Sequence, residues 1–241
     1  ISINSTIQNS NISVDGTKMF VLVGYRYVYE YTLSTPFDTS TATYIRNFDV
    51  YPTQGSDYSY ALEVASDGSK FYTIDYDDDL IYEWSMATPW DLSSVTNTGN
   101  YRISSHITSG IDLVMTPDGK KVYVTGTESD KIIELVLATP FDITTAYWTG
   151  VSLSISSQTG EPRSLILSSD GSKLYLKGST ATQLFEYSMS TAYDLNSASY
   201  SSTIIIPSID YMSMSHDGKY IYGGYGNYLK QFKTDGTAHV P

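Results

Sequence analysis

Residues 168–200 read SSDGSKLYLKGSTATQLFEYSMSTAYDLNSASY, and residues 66–95 read SDGSKFYTIDYDDDLIYEWSMATPWDLSSV. Both stretches contain the same features in the same order: an Asp-Gly pair, a Lys before an apolar run, a second run with a central Glu, and an aromatic residue followed by Asp. Five of the six Asp-Gly pairs recur at nearly even intervals along the chain, with successive spacings of 52, 51, 52 and 47 residues. Their aspartates are Asp15, Asp67, Asp118, Asp170 and Asp217. The chain is therefore a series of repeats of about fifty residues.

Each repeat predicts four β-strands, which we label a to d. In the second repeat, strand a is expected at about 59–65, strand b at 70–75, strand c at 80–86 and strand d at about 98–104. Val, Ile, Tyr, Phe and Thr dominate these runs, as is typical of a packed pleated surface. Asp-Gly suits the tight turn between strands a and b, because glycine adopts a positive φ without a Cβ clash.

A four-stranded unit repeated every 40–50 residues is typical of a β-propeller blade, and no sustained helical periodicity is present. We therefore predict an all-β, five-bladed propeller of four-stranded antiparallel blades. It forms a single domain, 1–241, with repeats at about 5–50, 58–104, 109–155, 161–206 and 209–234. Because the fifth repeat ends after strand c, residues 1–4 are expected to close the last blade as its outer strand, which covers an exposed edge.

The phrase SxDGxKxY resembles the propeller repeats of the YVTN and TolB-like superfamily. The fuller phrase, with YEYxLSTPFDLSTA, is similar to repeats of uncharacterised propeller proteins of phages and aquatic bacteria. The resemblance covers nearly the whole chain and implies the fold. Propellers include lectins, lactonases, scaffolds and virion parts, so the fold does not decide the function. No stretch of this sequence matches the catalytic acidic or His residues of the lactonases.

The composition narrows the classes of partner. The formal net charge of −12 disfavours nucleic acid and anionic membranes, because phosphate binding needs Lys and Arg. The absence of cysteine excludes disulfides, zinc–thiolate sites and cysteine nucleophiles. No run approaches the roughly 20 apolar residues that cross a bilayer. The 23 tyrosines, abundant Ser and Thr and few charges favour an extracellular, cell-surface or virion location.

Two acidic positions recur in the repeats. Strand c carries Glu30, Glu83, Glu134 and Glu186, with Gln231 in the fifth repeat. One carboxylate per blade favours a structural role, in which it accepts hydrogen bonds from a neighbouring strand or the repeat's Lys, over a catalytic acid/base pair. Asp38, Asp91, Asp142 and Asp194 follow an aromatic residue in the c–d loop. An Asx-turn or helix N-cap explains them better than a metal site, with the aromatic residue packing the loop on its blade.

The loops predict where binding occurs. The a–b turns and c–d loops share one end of the propeller, the Asp-Gly face, and are nearly identical between repeats. The b–c and d–a loops share the other end, the variable-loop face, where propellers place recognition. The predicted binding residues are Tyr25, Arg26, Tyr27, Tyr51, Tyr58, Tyr76, Asp77, Asp78, Asp79, Glu128, Asp130 and Tyr225. Tyrosine rings with polar neighbours suit a glycan or a protein partner.

Metal and histidine chemistry receive less support. Asp77–Asp79 lack the alternating ligand spacing of a calcium loop and are expected at a solvated hairpin tip. In strand a, Glu63 and Asp112, with Asn9 and Asn11, are expected to face the central tunnel and are candidate ligands of a structural cation or water. His106, His216 and His239 have no metal spacing and are expected on loops or the surface. We predict no catalytic residue and, apart from such a cation, no cofactor.

Three functions follow from these observations. The first is a non-enzymatic recognition or structural propeller that binds a glycan or a protein through the variable-loop face. The second is a hydrolase of the lactonase type that uses Glu63 and Asp112 around a tunnel metal. The third is a purely architectural module of a large assembly. The missing catalytic residues favour the first.

Overall fold

The computed structural model describes residues 2–55, 58–180 and 182–234. Blade 1 contains β1 (Ile7–Ile12), β2 (Lys18–Val23), β3 (Tyr27–Leu33) and β4 (Ala42–Asp49). Blade 2 contains β5 (Glu63–Val64), β6 (Lys70–Asp75), β7 (Leu80–Met86) and β8 (Val95–Arg102). Blade 3 contains β9 (Gly110–Met115), β10 (Lys121–Gly126), β11 (Lys131–Leu137) and β12 (Ala146–Ser154). Blade 4 contains β13 (Pro162–Leu167), β14 (Lys173–Gly178), β15 (Gln183–Met189) and β16 (Ala198–Ile205). Blade 5 contains β17 (Tyr211–Met214), β18 (Tyr220–Tyr225) and β19 (Tyr228–Lys233).

Helical structure in the described residues is limited to short turns. Helix α1 (Tyr51–Gln54) lies in the first d–a loop. Four 3₁₀ helices, Thr39–Thr41, Leu92–Ser94, Ile143–Thr145 and Leu195–Ser197, lie in the c–d loops. None of the helices in the described ranges is long and apolar enough to cross a membrane.

The strands of each blade pair in chain order as an antiparallel meander. In blade 5, Ser2 forms an antiparallel bridge with Tyr228, and the Ile3 amide donates to the Asn227 carbonyl over 2.9 Å. The N-terminal segment thus lies where the other blades have strand d. This arrangement confirms the predicted all-β, five-bladed propeller and its closure by the N-terminal strand. Ile1 lies outside the described residues.

Two strand boundaries differ from those predicted for the second repeat. Strand d begins at Val95 rather than about 98, because the 3₁₀ helix at Leu92–Ser94 shortens the loop. Strand a is reduced to Glu63–Val64, although Ser59 still pairs with Asp75. Between these pairings strand a has one more residue than its partner, which is a β-bulge.

The hydrophobic core lies between the faces of adjacent blades. One cluster joins Tyr72 and Ile74 of blade 2 to Leu113, Val124 and Ile133 of blade 3. All five side chains are fully buried. Burial of apolar surface contributes about 25 cal/mol per Å². The ring is therefore stabilised at the interfaces between neighbouring blades. The alternation of strand residues assigns one side of each blade to the preceding blade and the other to the next.

Each c–d loop is anchored on the Asp-Gly turn of its own blade. The Phe141 amide donates to the Gly119 carbonyl over 2.9 Å, and a Cβ on Gly119 would lie 2.6 Å from the Phe141 ring. Gly119 also has a φ of +69°, a left-handed conformation that favours glycine. After Phe141, the Asp142 carboxylate accepts from the Thr144 amide over 3.0 Å and caps the 3₁₀ helix. The predicted N-cap and aromatic packing are confirmed here.

We expect Gly119→Ala to lower the free energy of unfolding by roughly 2–4 kcal/mol, because strain at positive φ adds to overpacking of the aromatic ring. Gly226→Ala is the matched control, since Gly226 has a φ of +57° but no atom within 4 Å of an added Cβ. Strain alone should cost the control about 1 kcal/mol. Urea unfolding measures both, and equal losses would show that the ring contact adds nothing.

In blades 1 to 3, the strand-c glutamate joins the blade to the next one. Glu83 of blade 2 accepts from the Ile143 amide of the blade 3 loop over 2.8 Å and from Lys70 Nζ over 2.7 Å. Lys70 Nζ and the Tyr72 hydroxyl also donate to the Phe141 carbonyl, over 2.9 and 2.7 Å. We call this Glu–Lys–Tyr set, with the loop that it holds, the inter-blade clamp. It confirms the predicted structural role of Glu83.

The clamp recurs with small changes at three other junctions between blades. Glu30 accepts from the Leu92 amide over 3.1 Å, and Glu134 accepts from the Leu195 amide over 3.4 Å. At the seam, Gln231 of blade 5 accepts from the amide and hydroxyl of Thr39 in blade 1, each over 3.1 Å. The ring is thus closed by the same interaction that joins its neighbouring blades.

We expect Glu83→Ala to lower the free energy of unfolding by about 3 kcal/mol, because it leaves the buried Ile143 amide without an acceptor and the Lys70 ammonium without its counter-charge. Glu186→Ala is the matched control, since within the described ranges Glu186 is hydrogen-bonded to Lys173 and Ser201 and to no loop of the next blade. The control should lose less than about 1 kcal/mol. Similar urea midpoints for the two variants would contradict the clamp's role.

Candidate functional site

The predicted binding residues form separate groups on the variable-loop face. The largest group is a chain of rings in tilted contact that we call the tyrosine cluster, consisting of Tyr25, Tyr58, Tyr60 and Tyr76. Tyr25 lies 4.9 Å from Tyr60 and 6.0 Å from Tyr58 between ring centroids, and Tyr60 lies 5.1 Å from Tyr76. The cluster therefore connects the b–c turn of blade 1 with the d–a loop and b–c turn of blade 2.

The backbone at Tyr25 is strained. Both Gly24 and Tyr25 have a φ of +60°, which is the geometry of a type I′ hairpin turn. A tyrosine in this conformation costs roughly 1 kcal/mol. The Tyr25 amide donates to Gln8 Oε1 over 2.8 Å, and its carbonyl accepts from the Ser59 amide over 2.8 Å. These bonds fix the backbone of Tyr25 in this turn, and strain of this kind is common at functional sites.

Arg26, Tyr27 and Tyr51 form a second group beside the tyrosine cluster. Arg26 makes a bidentate contact with Asp49, with Nε–Oδ1 and Nη2–Oδ2 distances of 2.9 and 2.7 Å. The Arg26 guanidinium holds the pKa of Asp49 below its usual value. Its Cζ atom lies 4.4 Å from the Tyr51 ring centroid and 5.2 Å from that of Tyr27. The Arg26 guanidinium and the two tyrosine rings are thus held in place before any partner binds.

The acidic hairpin tip is a structured turn. The amides of Asp77 and Asp78 donate to Oδ1 of buried Asp75 over 3.0 and 3.1 Å. Asp79 Oδ1 accepts from the Gly110 amide over 3.3 Å, and burial raises the pKa of Asp79. Among the described residues, no three His, Asp or Glu side chains are grouped to hold a metal ion. The turn geometry accounts for these aspartates, as predicted for a hairpin tip.

The remaining predicted residues lie at the edge of this face. Glu128 and Asp130 are exposed in the b–c turn of blade 3. Thr127 of the same turn contacts the tyrosine cluster, with its Oγ1 3.3 Å from the Tyr76 hydroxyl. Tyr225 of blade 5 is exposed, with Lys230 Nζ 5.2 Å from its ring centroid. The structure does not join Tyr225 to the tyrosine cluster by any described ring contact.

Sequence reasoning missed Tyr60, Arg163 and Tyr211. Tyr60, Arg163 and their counterpart Gln8 stand seven residues before their Asp-Gly pairs, where strand a bulges. The Arg163 charge acts to lower the pKa of both Tyr60 and Tyr211, so its guanidinium lies near both rings. Burial dominates and raises the pKa of Tyr60 to about 12. A bulge turns a side chain away from strict alternation, so the period-two pattern of strand a gave no signal for Tyr60 and Arg163.

The central tunnel contains a cavity of about 120 Å³ that extends to the residues directly before the Asp-Gly turns. Its lining includes Glu63, Asp112, Asn9 and Asn11, as predicted, and His216. Tyrosines of the cluster are not among the lining residues. The cavity therefore faces the Asp-Gly side of the ring, whereas most predicted binding residues lie at the opposite end.

The polar groups of the tunnel bond to one another. Glu63 accepts from the Met115 amide over 3.2 Å and from Asn11 Nδ2 over 3.1 Å. Asp112 accepts from Asn9 Nδ2 over 3.1 Å and from Ser164 Oγ over 2.8 Å. Burial raises the pKa of Glu63 to about 8 and that of Asp112 to about 7. These bonds link strand a of one blade to that of another and make a polar layer around the axis.

The histidines occupy unrelated places. His106 packs against Trp148, with ring centroids 4.5 Å apart, and His216 is exposed beside the last Asp-Gly turn. His239 lies outside the described residues. The structure thus gives the two described histidines no common site.

We expect the free energy of unfolding to fall as the pH rises from about 4.5 to about 8, because the folded chain keeps the Glu63 proton that the unfolded chain releases. Each retained proton contributes a decline of about 1.4 kcal/mol per pH unit. Glu63→Gln should make the decline in this window shallower, with Asp112 causing what remains below about pH 7, whereas Glu128→Gln, the same change in an exposed loop, should leave the slope unchanged. Urea unfolding at several pH values measures this, and an unaltered slope in Glu63→Gln would refute the assignment.

Comparisons with known proteins agree on the architecture. No protein-family model matches the chain, and no curated protein matches it in sequence. A functionally unknown protein from Desulfotomaculum acetoxidans DSM 771 is similar in structure, with a TM-score of 0.57, 10% identity, and coverage of 100% of this chain and 71% of that one. The β-propeller domain of Myceliophteria thermophila Cps50 (Swd1) has a TM-score of 0.57 and 8% identity, covering 97% and 71%. A chain of the Mitotic Checkpoint Complex has a TM-score of 0.61 and 14% identity, covering 97% and 76%.

At these identities the likeness shows the fold alone, and the protein is a β-propeller. The fold is compatible with a non-enzymatic binding or scaffold role. The resemblance of the repeats to YVTN and TolB-like or phage sequences has no matching family model and stays a prediction.

Proposed function

We propose that this chain is a non-enzymatic recognition propeller that binds a protein partner through the variable-loop face. The observation that carries the proposal is the tyrosine cluster, in which Tyr25 has a strained backbone and its ring packs beside that of Tyr58, which is 49% exposed. A tyrosine occupies this turn position although glycine or asparagine would adopt the same backbone conformation with less strain. A rigid aromatic surface on variable loops is what a recognition surface requires.

The residue types favour a protein over a sugar as the partner. Tyr and Arg are the side chains most enriched among residues that dominate protein–protein binding energies. Arg26 is held between Asp49 and Tyr51 and presents a preorganised planar group next to the cluster. One of the structurally similar chains belongs to a protein complex, the Mitotic Checkpoint Complex. A glycan partner is the alternative outcome of the experiment below.

The alternative of a hydrolase with a tunnel metal receives no support from the geometry. Oxygens of Glu63 and Asp112 accept hydrogen bonds from protein donors, and the described residues contain no metal-binding group of three acidic or histidine side chains. An extracellular, cell-surface or virion location remains a prediction from composition.

We expect Tyr58→Ala and Tyr76→Ala to weaken binding of the partner about 30-fold each, the effect of losing one dominant interface residue. The partner would be sought by capture from extracellular and surface fractions of the source organism, with quantitative mass spectrometry, and in parallel on a glycan array. Tyr200→Ala is the matched control, because Tyr200 is 47% exposed but lies on β16, away from this face. Titration of the purified partner then gives dissociation constants for all four proteins.

A protein retained by the native chain and by Tyr200→Ala, but lost with both cluster variants, supports the proposal. Saturable binding of a sugar that is lost with the same two cluster variants would show that the partner is a glycan rather than a protein. Equal binding by all variants would contradict recognition through this face.

A further inference from the structure

The first strands of blades 1, 4 and 5 are joined by one hydrogen-bond network inside the tunnel. Asn9 Nδ2 and Ser164 Oγ donate to the two carboxylate oxygens of Asp112, over 3.1 and 2.8 Å. The Met212 amide donates to Ser164 Oγ over 3.3 Å. Each of these strands runs from the variable-loop face to the Asp-Gly face. The residues directly before Asn9, Ser164 and Met212 therefore form the next layer of the tunnel toward the variable loops.

That layer contains Gln8, Arg163 and Tyr211. Gln8 and Arg163 stand at β-bulges, where the register of strand a shifts. Bulges redirect side chains and are common at barrel rims and next to functional sites. Gln8 Oε1 accepts from the Tyr25 amide over 2.8 Å, and the centroid of the Tyr25 ring lies 4.9 Å from that of Tyr60. Side chains of blades 1, 2, 4 and 5 thus approach one another at the variable-loop end of the tunnel.

The charge of Arg163 acts on tyrosines of two other blades. Burial raises the pKa of Tyr60 to about 12, and the Arg163 charge acts to lower it. Burial also raises the pKa of Tyr211, again opposed by Arg163. Because blades 2 and 4 are not neighbours in the ring, Arg163 and Tyr60 approach each other close to the axis. The raised pKa values keep both hydroxyls protonated, so both are able to donate hydrogen bonds.

Two groups of this layer have donors without a good acceptor. Gln8 is fully buried, and its Nε2 atom has no hydrogen-bond partner in the part of the chain that the structure describes. A buried donor without an acceptor is destabilising and calls for a bound group or water. Within the described ranges, the Arg163 guanidinium has an ion pair with Glu161, whose Nη2–Oε2 distance of 3.9 Å is too long for a hydrogen bond. Both donors are therefore available to an acceptor from outside these residues.

The neighbouring charges leave Arg163 able to pair with an anion. Burial lowers the pKa of Lys177 to about 8, whereas the Asp210 carboxylate acts to raise it, so these two groups lie near each other. The Lys177 ammonium thus offsets the Asp210 charge. Glu161 is 63% exposed, and an exposed ion pair of this length is weak. The positive charge of Arg163 is therefore not neutralised by its described neighbours.

These donors fit a carboxylate better than other anions. A guanidinium forms two parallel hydrogen bonds with the two oxygens of a carboxylate, as Arg26 does with Asp49 in this chain. A phosphate dianion suits the site less, because one arginine would face two negative charges on a chain of net charge −12.

We propose that Arg163, Gln8, Tyr60 and Tyr211 form a binding site for one carboxylate group of the protein partner, at the variable-loop end of the tunnel. The Arg163 guanidinium holds both oxygens, while the Gln8 amide group and the two tyrosine hydroxyls donate to the remaining lone pairs. The identity of the partner as a protein rests on the function proposed above. The carboxylate comes from an acidic side chain or from a chain terminus.

An NMR titration of the full chain with two small carboxylates tests the site. N-acetylaspartic acid α-methylamide carries a side-chain carboxylate, and N-acetylglycine carries a chain-terminal one. At constant ionic strength we expect saturable shifts of the Arg163 Nε–Hε and Gln8 Nε2–H2 signals, with a dissociation constant on the order of 1–10 mM for the tighter probe. The tighter probe identifies the source of the carboxylate.

Variants of Arg163 measure its part in binding. Arg163→Met should weaken the tighter probe about tenfold, read from the Gln8 signal, because it removes the charge-assisted hydrogen bonds. Arg163→Lys keeps the charge without the fork and should lie between the two. Arg102→Met is the matched control, since Arg102 is an exposed arginine whose Nη1 donates to the Asp78 carbonyl over 2.6 Å, and its loss should leave the affinity unchanged.

The neutral isostere N-acetylasparagine methylamide should cause no saturable shift, and circular dichroism verifies that each variant is folded. Absence of saturable shifts with both carboxylates, or equal affinities for the native chain and Arg163→Met, would overturn the proposal.

The titration needs no partner, so its outcome is independent of the capture experiment. A captured protein that is lost with Tyr58→Ala and Tyr76→Ala, but binds Arg163→Met as tightly as the native chain, would retain the recognition function and overturn the carboxylate site. Saturable carboxylate binding without any partner that depends on the tyrosine cluster would support the site and contradict the recognition function.

Discussion

The hydrogen bond from a loop amide to the buried glutamate of the preceding blade is the interaction on which the ring depends. A blade presents apolar side chains on both faces and cannot bury both alone, so its stability comes from its neighbours. Apolar packing is not directional, so it does not by itself set the offset, that is, the relative position of two neighbouring blades. The Glu83 carboxylate, held by Lys70 and bound to the Ile143 amide, fixes that offset at one directional contact. Gln231 makes the equivalent contact across the seam.

The fold was predictable because turn chemistry and strand composition agree in every repeat. Asp-Gly, the following Lys and the strand-c Glu recur at nearly constant spacing, and each has a local physical reason. The Ile143 partner of Glu83 was not predictable, since the two are 60 residues apart and only blade packing brings them together. Tyr60 was missed for another reason, because a bulge in strand a changes the direction of its side chain.

The candidate site was likewise predictable in part. Tyr25, Tyr58 and Tyr76 were predicted from loop variability, and the structure brings them into one cluster through Tyr60. The two ends of the tunnel differ in chemistry: a polar cavity faces the Asp-Gly turns, and tyrosines lie at the variable loops. In such a propeller, the residues of the Asp-Gly face are constrained by contacts within and between blades. The residues of the variable-loop face are not, so they can differ between repeats and serve recognition.

The clamps of the ring are unequal. Glu83 is almost inaccessible and bound to three donors, whereas the Glu186 clamp holds no described loop and the seam relies on a neutral glutamine. A closed ring with unequal joints opens first at its weakest one, so blade 5 is expected to detach before the other four lose their packing. Amides of β17–β19 would then exchange with solvent through a partial opening, while those of blades 2 and 3 exchange only on global unfolding. Sequence repetition can in this way coexist with a defined order of unfolding.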